Sequence, residues 1–332
     1  MVGSTMLGDP TFIIASFCGG AFGAALGALP AFIFTGFMVI AGEAANAVGL
    51  SDAVASATDG GAASGMTGIA GFGPIFGPHI SFAAGAAAAA YAAKKGYIDD
   101  GKNILWAAGT NHADVLLVGG IFCLLGLTLT SLGRAFGNPT DNIAIVVFIS
   151  ALIHRVAFGY SIIGEVTGDG LFDVGPWERD EDEAPGIWLP WQYKWGNVAF
   201  LGVIAGGLGA FGVTALNSWL IGFGISAASL VFLQCGVDNI PVTHHITLPG
   251  AVGAAGAMPI YGAEVALIAG IGFGIFGAVM GEVCNRVFYM HGKTHVDPPA
   301  FGIAASGFLS AILTFVGVLG TTFWGAIPGI GL

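Results

Sequence analysis

Residues 262–284 read GAEVALIAGIGFGIFGAVMGEVC, and this stretch decides the fold. Its 23 residues carry charge only at Glu264 and Glu282, close to the two ends. An α-helix rises about 1.5 Å per residue, so a helix of this length can cross the hydrocarbon layer of a bilayer, which is roughly 30 Å thick. The stretch therefore predicts a membrane-spanning helix.

The rest of the 332-residue chain has the same character. Charged residues make up 9% of it, against about 25% in ordinary globular proteins, and its mean hydropathy is +0.84. This composition excludes a conventional soluble enzyme and a disordered chain, and the net charge of −11 argues against nucleic acid as a partner. We expect an all-α, polytopic helical membrane protein that forms a single transmembrane domain over residues 1–332.

Ten apolar segments account for most of the chain. They cover residues 11–29, 31–49, 78–94, 113–133, 141–163, 197–215, 217–235, 246–259, 262–284 and 301–323. Glycine and proline mark the breaks between them. Segment 78–94 is rich in alanine and segment 246–259 is short, so either could re-enter the membrane without crossing it.

The basic residues predict an orientation. If all ten segments cross and both termini lie outside, seven of the nine Lys and Arg residues fall on cytoplasmic loops, as the positive-inside rule requires. No basic residue precedes the first apolar run, so the N-terminus lacks the basic region of a signal peptide. We expect a multi-pass protein of the cell (plasma) membrane with both termini external and the lipid bilayer as its surroundings.

The longest polar stretch, residues 165–196, is predicted to be an acidic, Trp-rich cytoplasmic loop. Trp188, Trp191, Tyr193 and Trp195 follow its acidic run and are typical of an aromatic belt at the membrane interface. The acidic run itself indicates either a solvated loop or a mouth that docks a partner or collects cations. Acidic residues outnumber basic ones 20 to 9, a balance that a halophilic archaeal source would favour because salt screens their repulsion.

Two short patterns recur along the chain. The sequence GAALGALP at 23–30 returns as GAAGAMP at 253–259, and GEAAN at 42–46 returns as GEVCN at 281–285. These recurrences predict a helical hairpin used about three times, in units 10–95, 110–215 and 243–325. The alternative is that helices rich in Gly and Ala resemble one another by composition alone. Duplicated units are common in transporters, where the substrate lies at the repeat interface.

Carboxylates inside the apolar segments are candidates for function, because polar groups in hydrocarbon are costly. Glu43 lies two-thirds of the way along its segment, with Asn46 one helical turn on and on the same face. A carboxylate there needs a cation, water, a donor or a proton, which suits a cation or proton pathway. The alternative is a hydrogen bond to a neighbouring helix. Glu282 and Asn285 repeat the pair nearer a cytoplasmic end.

Arg155 is the one clearly embedded basic residue. An unpaired guanidinium in lipid is untenable, so we expect it to meet a carboxylate or to extend to the membrane surface. Glu43 and Asp114 are the candidate partners, and the sequence does not choose between them.

Histidines open four of the segments: His79, His112 with Asp114, the pair His244-His245, and His295 with Asp297. A helix N-terminus that points into the membrane suits an anion or a polar solute, whereas a His-x-Asp pattern could bind a transition metal or relay a proton. The pair between Pro241 and Pro249, in a broken segment, is the strongest candidate. The alternative for the others is polar capping at the interface.

Other features argue against enzymatic chemistry. The four cysteines lie far apart in apolar stretches, a pattern that indicates neither a disulfide framework nor a zinc site. Neither a nucleotide-binding motif nor a hydrolase motif is present. We expect no enzymatic activity and no cofactor, although a bound ion would be compatible with the sequence.

These patterns favour a membrane transporter or channel for a small ion or polar solute. Its pathway would follow the broken segments 73–81 and 239–250 at the repeat interface. The competing hypothesis is a structural, complex-forming subunit, in which the polar residues only join helices. Gly/Ala-rich helix faces allow a homo-oligomer in either case. A metal-dependent membrane enzyme is a third, weaker hypothesis.

Overall fold

The computed structural model describes residues 7–48, 65–106, 109, 111–181, 184 and 186–321. Over this part of the chain the structure is all-helical, and its β-structure is limited to a single bridge between Gly101 and Thr294. The predicted all-α fold is confirmed.

The helices overlap the apolar segments, but segment 217–235 divides into two helices and the helix of segment 301–323 ends eight residues early, at Phe315. Within the described residues, those of five residues or more are α1 (Pro10–Leu26), α2 (Ala28–Ala47), α3 (Ala83–Lys94), α4 (Ala113–Ala135), α5 (Asn142–Ala157), α6 (Trp195–Leu216), α7 (Ile221–Ala228), α8 (Leu230–Gln234), α9 (His244–Tyr261), α10 (Ala263–Cys284) and α11 (Pro298–Phe315). Three π-helical turns accompany them, at Met66–Gly71, Pro78–Phe82 and Asn285–Tyr289. The last two are continuous with α3 and α10.

Five of these helical spans are long and apolar enough to cross a membrane: Ala28–Ala47, Ala113–Ala135, Trp195–Leu216, Ala263–Tyr289 and Pro298–Phe315. Several of the remaining apolar helices are shorter. By length and composition these helices fit a membrane protein, while the count of ten crossings stays a prediction.

Helix α6 shows how the sequence suits a bilayer. It buries Gly202, Gly206 and Gly209 and exposes large apolar side chains such as Phe200 and Leu208. A soluble protein would place the large apolar residues inside. In lipid, apolar side chains gain little free energy by moving from the bilayer to the protein interior, so close approach of the helix backbones decides which face is buried.

Three helices of the first half, α1, α3 and α4, pack together and are called the N-terminal bundle here. Glycines make this packing close, since a methyl group at Gly20 would collide with Cys123 and with the backbone of Gly119. Helices α6, α9 and α10 pack in the same manner and are called the C-terminal bundle. There, Gly206 lies directly against Gly274.

The two bundles make matching contacts. Gly126 of α4 lies against the carbonyl oxygen of His79, and Gly277 of α10 lies against the carbonyl oxygen of His245. Two further glycine–carbonyl contacts correspond in the same way, Gly23 with Ser81 and Gly209 with Thr247. The helix that follows His79 and the helix that follows His245 therefore occupy equivalent places in their bundles.

These two equivalent helices are also the most deeply buried. Every residue from Pro78 to Ala90 and from His244 to Ala257 is buried. Their high content of Ala and Gly, which made segments 78–94 and 246–259 ambiguous, follows from this central position, because the surrounding helices leave little room for larger side chains.

Two antiparallel helix pairs join the bundles. Along α2 and α7, Gly36 lies against Ala227 whereas Val39 lies against Gly224. Along α5 and α11, Thr140 just before α5 donates to the carbonyl oxygen of Ala304, while Phe148 packs against Phe301, which is nearer the start of α11.

At one end of the molecule, loops cover the bundles. The bridge between Gly101 and Thr294 joins two of them, and Lys102 Nζ donates to the carbonyl oxygens of Met290 at 3.3 Å and Gly186 at 3.4 Å. Residues 100–105, 186–193 and 285–297 are called the loop layer below.

The aromatic residues of the 165–196 loop lie in different environments: Tyr193 is buried, whereas Trp195 is 37% exposed. Trp188 and Trp191 line an internal cavity, and Trp191 Nε1 donates to the carbonyl oxygen of Ile240 at 3.0 Å. The aromatic belt at the membrane interface stays a prediction. In the described part of the acidic run, Arg179 pairs with Glu181 on the surface at 2.5 Å. Residues 182 and 183 lie outside the described residues.

Candidate functional site

A cavity of about 370 Å³ lies between the two bundles. Its walls come from both antiparallel pairs, from the starts of α9 and α11, and from the loop layer. The first half contributes Phe72 and Pro78, and the second half contributes Val242 and His244. Both broken segments singled out in the sequence therefore reach this cavity.

Most of the cavity wall is apolar, with aromatic rings among its largest groups. The aromatic residues include Phe32, Phe82, Phe223, Trp188, Trp191 and Tyr289. Sites for small organic molecules have this character, with a few polar groups placed among apolar ones.

Asp141 is the most buried carboxylate on the cavity wall, with 6% of its surface exposed. It caps the N-terminus of α5, where its Oδ1 accepts hydrogen bonds from the amides of Ile143 at 2.9 Å and Ala144 at 2.8 Å. Its second oxygen, Oδ2, takes no hydrogen bond from the described residues. That oxygen is free to meet a ligand.

Asp297 holds the corresponding place at the start of α11. Its Oδ2 accepts from the amide of Ala300 at 2.9 Å, and its Oδ1 lies 3.2 Å from Nε2 of His295. Both residues line the cavity, so the predicted His-x-Asp pair is formed. Because both carboxylate oxygens have partners, Asp297 is less available than Asp141.

His244 is the first residue of α9 and also lines the cavity. Its imidazole is buried, with a ring centroid 4.6 Å from that of Phe32 and 5.9 Å from that of Phe223. Its Nδ1 atom has no hydrogen-bond partner among the described residues.

Among the described residues, Lys102 is the one Lys or Arg on the cavity wall, where it lies beside Asp100. Its ammonium group sits 4.6 Å from the centre of the Tyr289 ring, in addition to its two bonds to carbonyl oxygens of the loop layer. Burial lowers the pKa of Lys102 to about 8, with Asp100 opposing and Arg155 reinforcing that shift.

Arg155 lies away from the cavity, and the expectation that Glu43 or Asp114 would pair with it was wrong. The guanidinium is fully buried and binds neutral oxygens: the hydroxyl and carbonyl of Thr294, and the carbonyls of Ile162 and Phe288. Five donors in a rigid fork allow Arg to satisfy several carbonyls at once. Its role is to hold the loop layer to α5.

Glu282 and Asn285 also act within the protein rather than on the cavity. Glu282 pairs with Arg286 at 2.6 Å, and Asn285 Nδ2 donates to Glu282 at 3.1 Å. The side-chain oxygen of Asn285 accepts from the amide of Trp188 at 3.1 Å. This cluster fixes the end of α10 to the segment that carries the cavity tryptophan.

Glu43 and Asn46 lie at the far end of α2, outside the cavity. Glu43 is half-buried, and its Oε2 accepts from the hydroxyl of Ser218 at 2.5 Å. Asn46 is exposed and donates to Glu43 Oε1 at 3.3 Å. The structure therefore gives the alternative considered for Glu43, a hydrogen bond to a neighbouring element.

His79 and His245 are buried at the equivalent glycine contacts of the two bundles. Neither imidazole lines the cavity, and the Nδ1 atom of each lacks a hydrogen-bond partner among the described residues. Of the predicted pair His244-His245, only the first reaches the cavity.

His112 and Asp114 form a separate cluster at the start of α4. The ring of His112 stacks on that of Tyr97 with 3.7 Å between centroids, and Asp114 accepts from the hydroxyls of Tyr91 at 3.1 Å and Tyr97 at 3.2 Å. The cluster lies apart from the cavity.

The described residues contain no group of three or more His, Cys, Asp or Glu side chains that could hold a metal ion. The four cysteines are free. The transition-metal interpretation of the His-x-Asp patterns thus gains no support from the geometry.

Sequence reasoning missed Asp141, Lys102 and the aromatic walls. Asp141 stands at the edge of an apolar segment and Lys102 in a loop, so neither looks embedded. The sequence does mark the two equivalent helices that begin near the cavity, because the similar patterns His79-Ile80-Ser81 and His245-Ile246-Thr247 stand at their starts.

Comparison with known proteins gives a family without an assigned activity. The chain belongs to a family of unknown function (DUF7973), whose model matches residues 1–328. No curated protein and no solved structure matches the chain. Function must therefore be argued from the cavity itself.

Proposed function

We propose that this membrane protein transports a small organic solute, which it binds in the cavity between its two bundles. The observation that carries the proposal is the position of the cavity, with walls from both halves and from both broken segments. In transporters built from repeats, the substrate site lies at such an interface.

The size of the cavity selects the kind of solute. At about 370 Å³ it falls within the range of organic ligand sites, roughly 300–1,000 Å³, and far exceeds the space that a bare ion needs. Its mainly apolar walls also suit a solute with an apolar body. We therefore favour an organic solute over an inorganic ion.

The matching contacts support two repeated halves, α1–α5 and α6–α11, in place of the three predicted units. If α2 corresponds to α7 and α5 to α11, then corresponding helices run antiparallel to each other where they meet. The axis that relates the halves then lies across the helices, in the membrane plane. Halves related in this way can exchange conformations and open the cavity to each side in turn.

With α7 and α8 counted as one crossing, five crossings in each half give the ten predicted crossings with both termini on one side. Under the positive-inside rule the loop layer, which includes Lys102, Arg286 and Lys293, is then cytoplasmic. Several wall residues belong to this layer, so the cavity lies nearer the cytoplasmic face in this conformation.

The alternative of a structural subunit predicts a core without a solute-sized cavity, so the cavity favours transport. The structural hypothesis depends on Gly-rich helix faces that could bind another subunit. Many of these faces instead pack against helices of the same chain, as in the contact between Gly206 and Gly274. A homo-oligomer remains a prediction that needs other surfaces.

The experiment is solute uptake into proteoliposomes that contain the purified full chain. Small amines, carboxylates and sugars are compared with Na⁺, K⁺ and protons. We expect saturable uptake of one organic class, strongly reduced by Phe223→Trp, which puts a larger ring into the cavity beside Phe32. Phe200→Trp, on the exposed face of α6, is the matched control and retains uptake. Absence of organic uptake, or uptake that Phe223→Trp leaves intact, rejects the proposal.

A further inference from the structure

We infer that the solute is a small organic cation with an apolar body, bound between Asp141 and the aromatic walls of the cavity. This inference rests on the proposed function, because it names the substrate class of the same site.

The charges on the cavity wall favour a cation. Three carboxylates, Asp100, Asp141 and Asp297, line the cavity, compared with one ammonium group, that of Lys102. Inside a low-dielectric protein such an excess of negative charge attracts a cationic ligand and repels an anionic one. Lys102 is also occupied, since it donates to Gly186 and Met290 and lies over the Tyr289 ring.

Asp141 is the carboxylate best placed to bind the ligand. It is buried, it lines the cavity, and its Oδ2 atom takes no hydrogen bond from the described residues. By contrast, Asp297 already meets both His295 and the amide of Ala300. A buried carboxylate with one free oxygen gains most from a cation beside it.

The aromatic residues provide the second part of the recognition. The faces of Trp, Tyr and Phe attract cations, and clusters of such rings are the usual way in which proteins bind quaternary ammonium groups. Phe32 and Phe223 lie on opposite halves of the chain and approach each other with ring centroids 5.9 Å apart. Trp188 and Trp191 enter the cavity wall from the loop layer. A cation with an aromatic or aliphatic body would fit among them.

The test is calorimetric binding to the full chain in detergent or nanodiscs, with three probes of similar shape. These are benzyltrimethylammonium, the anion 3-phenylpropionate and the neutral 3-phenyl-1-propanol. We expect the cation to bind at least tenfold more tightly than either of the others. Equal binding of all three, or preference for the anion, overturns the inference.

Two substitutions make the test specific to Asp141. Asp141→Asn keeps an oxygen that can cap α5 and removes the charge, so we expect it to weaken cation binding by ten- to a hundredfold. Asp173→Asn is the matched control: Asp173 also accepts two backbone hydrogen bonds, but in the 165–196 loop away from the cavity. It should change binding by less than twofold. Unchanged binding of the neutral alcohol shows that each variant is folded.

The outcomes separate this inference from the proposed function. Cation binding without uptake in proteoliposomes supports the site and rejects transport. Uptake of a carboxylate or a sugar that Phe223→Trp blocks supports transport and overturns the cation assignment. Loss of cation binding in Asp173→Asn to the same degree as in Asp141→Asn also overturns it.

Discussion

At the scale of single residues, the embedded charges divide into two kinds. Arg155 and the Glu282–Arg286 pair have their hydrogen-bonding groups taken up by the protein and hold the loop layer in place. Asp141 keeps an oxygen free beside a cavity. Burial alone is therefore a poor guide to function. A buried charged group whose hydrogen-bonding atoms all have partners inside the protein has no free atom to bind a ligand.

Lys102 gives the site an expected pH dependence. Its pKa of about 8 means that the side chain is charged below this pH and neutral above it. The charged form repels a cation in the cavity, so the affinity for benzyltrimethylammonium should rise as the pH increases through about 8. A unit charge about 10 Å away in a protein interior changes affinity on the order of tenfold.

The measurement is a binding titration with benzyltrimethylammonium between about pH 6.5 and 9.5, that is, on both sides of the pKa. Lys102→Met removes the charge and keeps the length of the side chain, so its affinity should match the high-pH value throughout and lose this dependence. If the affinity of Lys102→Met still rises with pH to the same extent, another titrating group causes the pH dependence. An affinity that falls as the pH rises would contradict a cation bound in the cavity that Lys102 lines.

The sequence predicted some residues of the site and not others for a physical reason. His244, His295 and Asp297 were found because imidazoles and carboxylates beside prolines at segment ends are unusual in a membrane protein. Asp141 and Lys102 were not found, because their importance depends on which helices meet around them. Arg155 was misassigned because carbonyl oxygens of distant loops, which no sequence pattern marks, replace the expected carboxylate.

At the scale of helices, glycine positions decide how closely the elements pack. Gly277 on α10 lies against the carbonyl oxygen of His245 and the ring of Pro249, whereas Gly272 on the same helix has no neighbour within 4 Å of the position of a methyl group. The two glycines therefore test the packing on one helix, Gly277 at a close contact and Gly272 on an exposed face.

We expect Gly277→Ala to destabilise the protein by about 1–3 kcal/mol, because the added methyl group forces α9 and α10 apart. Gly272→Ala should be neutral, or stabilising by up to about 1 kcal/mol, because Ala favours the helix. Thermal unfolding in detergent, followed by circular dichroism, compares the two. Equal stability of the variants would show that the close contact between α9 and α10 is wrong.

Helix positions could be predicted well, and helix partners could not. Segment 113–133 and α4 begin at the same residue and end two residues apart. Long apolar runs with polar ends restrict where a membrane helix can begin and end. The three-unit repeat, in contrast, rests on the two recurring patterns GAALGALP/GAAGAMP and GEAAN/GEVCN. The structure places the equivalent contacts at His79 and His245, where a short His-Ile-Ser/Thr pattern marks them.

At the scale of the whole molecule, the proposed transport requires a cavity that each side of the membrane can reach in turn. The two halves meet through the antiparallel pairs α2–α7 and α5–α11, and the cavity lies between these pairs. A change in the angle between the halves would open one end of the cavity as it closes the other. The loop layer would then separate from, or close upon, the starts of α9 and α11.

The most direct test is chemical labelling at Ala144, a cavity residue on α5, in a variant whose four native cysteines are replaced by serine. Ala144→Cys is exposed to a membrane-impermeant methanethiosulfonate in right-side-out and in inside-out vesicles. Ala88→Cys, fully buried within the N-terminal bundle, is the control that stays unmodified. We expect Ala144→Cys to be modified from both sides and to be protected by a bound solute. Modification from neither side, or from one side under every condition, would contradict alternating access through this cavity.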